Sequence, residues 1–169
     1  ASSIGRAANS DGITLVVFFS HQWLSNTAPD PSKIQYKTMC LALQRVVEML
    51  NWTDGMASVQ VWVDYCSIPQ APTQPHIRQI AIESLPLYSS LAGAFVIIAP
   101  ASQHLNSGDV CDIDSYSQRM WCRAEQLCYW LRNGDRAMFM ASEGSVRRVA
   151  QSEGFLESNL RVFQGTATK

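Results

Sequence analysis

The chain has 169 residues, 47% of them apolar and 16% charged, with a formal net charge of −1. This is enough apolar material for one continuous core and too much for a disordered chain. The near-neutral balance leaves no electrostatic case for nucleic acid or for an anionic membrane surface as partner.

No apolar run approaches the roughly 18 residues that span a bilayer, and the longest, residues 92–101, has the length of a strand. The first residues show no basic region followed by an apolar one, so no signal peptide is expected. The five cysteines, Cys40, Cys66, Cys111, Cys122 and Cys128, are odd in number and lack CxxC or Cys/His zinc spacing. Reduced thiols and a cytoplasmic location are the expectation.

In chain order, residues 1–12 are small and polar and read as a flexible tail before a single domain over 13–169. Residues 13–19 are β-branched and aromatic without alternation, the pattern of a strand buried on both faces of a parallel sheet. Ser20, His21, Gln22 and Trp23 then leave its carboxyl end. Asp30 and Pro31 suit a helix cap and first turn, and Tyr36, Met39, Cys40, Leu43, Val46, Val47 and Leu50 follow at helical spacing. Residues 51–55 close that helix, and 59–64 form a second strand ending in Asp64 and a proline-rich loop.

Ile77, Ile80, Ala81, Ser84, Leu85 and Tyr88 mark a second helical face, which Pro86 must kink or restart. Residues 94–99 are the third strand, stopped by Pro100, and 102–115 a polar loop. From Ser115 to about Arg132 the pattern is one amphipathic helix, with Met120, Ala124, Leu127 and Leu131 as its core stripe and Asn133-Gly134 as its stop. Residues 136–140 form a fourth strand, 146–151 a short helix, and 160–163 a fifth, edge strand.

Strands separated by helices require crossover connections. The expected fold is therefore α/β: a flavodoxin-like three-layer sandwich with helices on both faces of a parallel sheet of about five strands, order 2-1-3-4-5. Ligands in such sheets bind beyond the strand carboxyl ends at the switch point between the first and third strands. That places Ser20, His21, Gln22, Trp23 and Ser102 at the ligand edge, with the long helix above them.

On that helix Trp121 and Glu125 lie four residues apart and share a face. A glutamate on a helix is ordinarily a solvated charge, and a tryptophan at helical spacing is ordinarily core, so helix pattern alone favours a surface charge for Glu125. Asp64 is better suited to ordering the following loop through backbone N–H groups than to catalysis. Asp109, Asp112 and Asp114 lack calcium-loop spacing. No GxGxxG, P-loop lysine or GxSxG elbow is present, which argues against a dehydrogenase, an NTPase and a serine hydrolase.

Four segments together resemble a TIR (Toll/interleukin-1 receptor) domain of the divergent plant, protist and microbial kind. They are Phe18-Phe19-Ser20-His21 at the end of the first strand; Val61-Trp62-Val63-Asp64 before a long loop; residues 94–100; and Trp121-Cys122-Arg123-Ala124-Glu125, similar to the Trp-Cys-x-x-Glu of plant members. The chain departs from the pattern with Arg119 where a serine precedes the tryptophan, and with residues 66–75 in the second-strand loop. The resemblance implies an NAD+ nucleosidase in stress or immune signalling, releasing nicotinamide and ADP-ribose or a cyclic variant. Glu125 would be catalytic, Ser20, His21, Gln22, Trp23, Ser102, Arg119 and Trp121 would bind substrate, and NAD+ would be substrate with no cofactor or metal. It also implies a homo-oligomer built by TIR–TIR contacts. A non-catalytic self-association module and another N-glycosyl-bond enzyme, such as a nucleoside deoxyribosyltransferase, are the alternatives.

Overall fold

The computed structural model describes residues 7–9, 12–71 and 73–149. Its centre is β2 (Gly12–His21), flanked on one edge by β3 (Val59–Trp62) and on the other by β4 (Ala94–Ile98), both parallel to it. Beyond β4 lies parallel β7 (Met138–Ser142), and beyond that antiparallel β8 (Ser145–Arg148). The strand order is thus the expected flavodoxin-like one. The fifth strand is a different segment, however, and it runs the other way. Residues 145–148 form that strand instead of the expected helix, because Glu143 and Gly144 adopt positive φ and fold the chain straight back on β7. The expected strand at 160–163 lies outside the described residues. Within the stretch read as a tail, β1 (Ala7–Asn9) pairs antiparallel with the start of β2.

Side-chain alternation along the central strands creates two cores. Leu15, Val17 and Phe19 join Val96, Ile98, Phe139 and Ala141 beneath α1 (Ile34–Met49), which contributes Ala42 and Val46. Phe18 joins Phe95, Ile97 and Met138 on the other face, beneath Tyr116, Cys122 and Tyr129. Those three come from α5 (Ile113–Gln118) and α6 (Met120–Asn133). The continuous apolar run in β2 is thereby explained: each of its faces is covered.

The helices deviate from the sequence expectation in instructive ways. Helix α1 starts at Ile34, after a turn over residues 30–33, yet Asp30 still caps it by accepting the Tyr36 N–H at 2.7 Å. Pro86 does restart the chain. A short α2 (Asp64–Ser67) is followed by α3 (Pro75–Glu83), and a separate α4 (Leu85–Leu91) then carries Pro86 in its first turn. Of the expected face, Ala81 and Leu85 are buried, whereas Ile77 and Ile80 are exposed.

The single long helix proposed from Ser115 is two helices. Arg119 sits between them in extended conformation, φ −77° and ψ 127°. The buried face of α6 is Cys122, Glu125, Gln126 and Tyr129, nearly opposite the apolar stripe read from the sequence; Met120 and Leu131 are exposed. Hydrophobicity alone misassigned this face because the polar side chains turned inward are satisfied there, Glu125 by Ser20 of β2 and Gln126 by the Cys122 carbonyl of its own helix. The polar loop before α5 carries a small antiparallel ladder of β5 (Ser102–Gln103) and β6 (Val110–Cys111). Among the described residues no helix is long and apolar enough to cross a membrane.

Phe18 is the packing hub of the second core, stacked on Trp62 at 4.3 Å and on Phe95 at 5.4 Å between centroids. Phe18→Ala should lower the unfolding free energy by about 3–5 kcal/mol, seen as a lower urea midpoint with an unchanged slope.

Candidate active site

The site begins with the alternation of β2. Ser20 follows Phe18 on the α5/α6 face, and His21 follows Phe19 on the α1 face. Both are buried, as is Gln22. Three consecutive polar residues at a buried strand end each require hydrogen-bond partners, and each finds a different set.

Ser20 donates its hydroxyl proton to Glu125 Oε2 at 2.5 Å, while the Tyr116 hydroxyl lies 2.7 Å from Ser20 Oγ. Gln22 reaches the start of α5, donating to the Asp112 carbonyl and to Ser115 Oγ. That helix start is fixed by a capping box in which Asp112 and Ser115 serve each other's backbone N–H. His21 Nδ1 is 2.8 Å from Gln35 Oε1 and Nε2 is 2.8 Å from Asp64 Oδ1. Gln35 gives its own amide N–H to the Gln22 carbonyl, so its oxygen faces the imidazole. An amide oxygen and a carboxylate only accept. Both ring nitrogens of His21 therefore donate, and the ring is an imidazolium.

Burial opposes that charge, but the Asp64 hydrogen bond and charge, the Gln35 bond and the Glu125 charge outweigh it and hold His21 above its ordinary value. Burial likewise works against the Asp64 carboxylate. The His21 bond and charge, the Trp23 indole N–H at 2.8 Å and the Tyr65 backbone N–H nevertheless keep it below its usual range. Glu125 is different. Its desolvation is only partly relieved by the Ser20 hydroxyl; the Asp64 charge adds to it and His21 subtracts, leaving the carboxyl pushed up to about 7. Cys122, buried beside it, is driven well above the usual thiol range by burial first and by Glu125 second, so it stays a thiol.

These groups open onto a cleft of about 270 Å³, near the lower limit of ordinary small-molecule sites, about 300 Å³. His21, Asp64 and Glu125 line it together with the aromatic Trp23 and Trp121 and the cations Arg78 and Arg119; Ile68, Ile82 and Leu85 supply apolar surface. Trp121 is 46% exposed and Glu125 only 9%. The arrangement offers a poorly solvated carboxyl at a cleft that also holds stacking surfaces and positive charge.

Of the residues singled out by sequence, His21, Trp23, Arg119, Trp121 and Glu125 line the cleft together. Three that were expected to touch substrate do not line it. Ser20 lies beneath Glu125, Gln22 is turned to α5, and Ser102 donates to the Cys111 carbonyl within the β5–β6 ladder. Asp64 orders the Tyr65 N–H as expected, and also anchors His21 and Trp23. Sequence reading missed Gln35, Tyr116 and Arg78. Gln35 carried a usable signal: it sits four residues before Met39 and seven before Ala42 on the inward stripe of α1. Asp112 is a helix cap and Asp109 accepts from Ser107, and among the described residues no group of three or more His, Cys, Asp or Glu is placed to hold a metal ion. All five cysteines are unpaired.

Compared with protein-family models, curated proteins and solved structures, the chain matches none.

The raised Glu125 value has a defined sign in folding. The folded state holds the proton more tightly than the unfolded one, so this group's contribution is fully present below about 4.5 and is lost as pH rises through about 7. At roughly 1.4 kcal/mol per unit, the loss is on the order of 3 kcal/mol. Glu125→Gln should therefore be more stable than wild type at pH 8, with a gap that narrows toward pH 5. Urea titrations at the two pH values measure this, and an equal gap at both would contradict a desolvated carboxyl.

Proposed function

We propose that this chain is a TIR-like NAD+ nucleosidase acting in the cytoplasm in stress or immune signalling. The observation that carries the reading is the Glu125 carboxyl, buried yet lining a cleft beside Trp121 and two arginines. In NAD+ the nicotinamide is already a cationic leaving group. The C1′–N bond breaks with its electron pair passing to the pyridinium nitrogen, and no acid is needed. One carboxylate facing the ribose opposes the positive charge that develops at C1′. Water then adds to C1′ and loses a proton, giving ADP-ribose, nicotinamide and H+; attack by an internal nucleophile gives a cyclic product instead. Two-carboxylate glycosidases require an acid as well, and here the neighbouring carboxylate, Asp64, is occupied by His21, Trp23 and Tyr65.

Trp121 and Trp23 offer faces for base stacking, and Arg78 and Arg119 suit phosphate oxygens. The cation of the substrate favours ionised Glu125, so the nicotinamide-bearing end belongs next to it.

Nicotinamide release from NAD+, followed by chromatography at high protein concentration, should fall on the order of 10²-fold or more in Glu125→Gln. Wild-type kcat/KM should rise about tenfold per pH unit below about 7 and level off above it, because the ionised carboxyl is the active form. Equal release by wild type and Glu125→Gln would refute the assignment.

Exposed apolar residues on two adjoining helices support a homo-oligomeric working state. Leu87 and Leu91 on α4 and Met120 and Leu131 on α6 are exposed, Leu131 to 67%. Exposed apolar residues that cluster mark contact surfaces, and these four lie on two helices that pack against each other. Leu91→Asp with Leu131→Asp should reduce concentration-dependent self-association in light scattering while leaving the far-ultraviolet circular dichroism spectrum unchanged. Undiminished association would exclude this face.

A further inference from the structure

We propose that Tyr116 and Ser20 are positioning residues that reserve Glu125 Oε2 as a permanent acceptor, so that the carboxyl's exchangeable proton resides on Oε1, the oxygen left for the cleft. The inference rests on the nucleosidase reading for its catalytic meaning, but its geometry stands apart from it.

The argument is a proton count. Ser20 Oγ carries one proton and gives it to Glu125 Oε2 at 2.5 Å. In the contact at 2.7 Å between Ser20 and Tyr116, the serine has no second proton, so the phenol is the donor. Tyr116 is fully buried and un-ionised, since burial raises its phenol well above the ordinary range. Its O–H must therefore find an acceptor; Ser20 Oγ is the one in contact at 2.7 Å, with the Gln126 side chain also beside the phenol. Gln126, on the next helix, gives its amide N–H to the Cys122 carbonyl.

Placing a proton on Oε2 breaks this chain. Either the Ser20 hydroxyl turns back toward Tyr116 and gives up the 2.7 Å bond from the phenol, whose proton then has only the Gln126 side chain to turn to, or Ser20 accepts from both neighbours and orphans its own. The first gives up a direct bond and the second leaves a buried donor unsatisfied, which is the costly outcome. Protonation at Oε1 leaves both bonds intact. Among the described residues no hydrogen bond occupies Oε1, and Glu125 retains its small exposure at the cleft. Donors lined up in this way also polarise one another, strengthening the bond to the ionised carboxylate.

The other ionisable groups facing Glu125 do not share in the chain. His21 and Asp64 form a charged pair of their own, Cys122 and Cys128 are thiols whose values burial raises, and Arg78 and Arg119 line the cleft. Ser20, expected from the sequence to touch substrate, is thereby reassigned to supporting the residue that does.

The test is the ionisation of Glu125 itself, followed by infrared spectroscopy of its carboxyl stretch as the difference between each protein and its Glu125→Gln counterpart. Ser20→Ala should move the titration upward by about one pH unit, and Tyr116→Phe in the same direction by less, through the lost polarisation. The acid limb of kcat/KM for nicotinamide release should move with it. Both are near-isosteric changes, and thermal melts confirm folding. A titration unmoved in both folded variants would overturn the proposal. If instead the titration shifts while wild type releases no nicotinamide from NAD+, the positioning role stands and the nucleosidase reading falls.

Discussion

The structure depends on a single constraint: the carboxyl end of β2 carries three consecutive polar side chains into a buried region, only His21 among them lining the cleft. A buried strand end cannot leave serine, histidine and glutamine unpartnered. Alternation sends Ser20 toward α5 and α6, His21 toward α1 and α2, and Gln22 toward the start of α5. The helices around the cleft are therefore located by hydrogen bonds radiating from one strand as well as by their own apolar faces. The apolar contacts are larger in sum but non-directional. The polar contacts select which packing is adopted.

Within that frame the two acidic residues of the cleft fare differently. Asp64 meets three donors, one of them an imidazolium, and remains ionised despite burial. Glu125 meets one hydroxyl and titrates near neutrality. Two carboxyls with values driven apart by their surroundings is the pattern by which one site holds a fixed charge and a titrating group together. The instability that Glu125 brings at neutral pH is of the kind that function commonly demands of a fold.

Much of the architecture was legible in the chain. The unalternating run at 13–19 announced a doubly covered strand, Pro86 a kink or a restart, and Asn133-Gly134 the end of the helix that carries Glu125; the covered strand, a restart at Pro86 and the stop at Gly134 are observed. The same sequence misled where local pattern met tertiary demand. In α6 the apolar residues Met120 and Leu131 face out, and Glu125 and Gln126 face in, because Ser20 and the Cys122 carbonyl receive them. No periodicity rule can see a serine 105 residues away in sequence. The break at Arg119 was hidden for a similar reason: neither proline nor glycine marks it, and the bonds on its two sides, Gln22 to α5 and Ser20 to α6, come from a distant strand end. Ser102 and Gln22 were assigned to the ligand by their place at a strand end, yet a strand end on its own does not distinguish a side chain that faces a cleft from one that secures a helix.

The adjacency of Ser20, His21 and Gln22 has a consequence for how the molecule assembles. Strand side chains repeat every two residues, so a slip of one residue in β2 against β3 and β4 exchanges the faces of the whole strand. In the apolar portion such a slip is partly forgiven, since one aliphatic residue replaces another in either core. At residues 20–22 it is not: each of the three polar groups would arrive among the wrong partners, and all three sets of bonds would fail together. The cleft thus serves as a checkpoint on β-sheet alignment, and a chain that has formed it has, by that fact, folded in register.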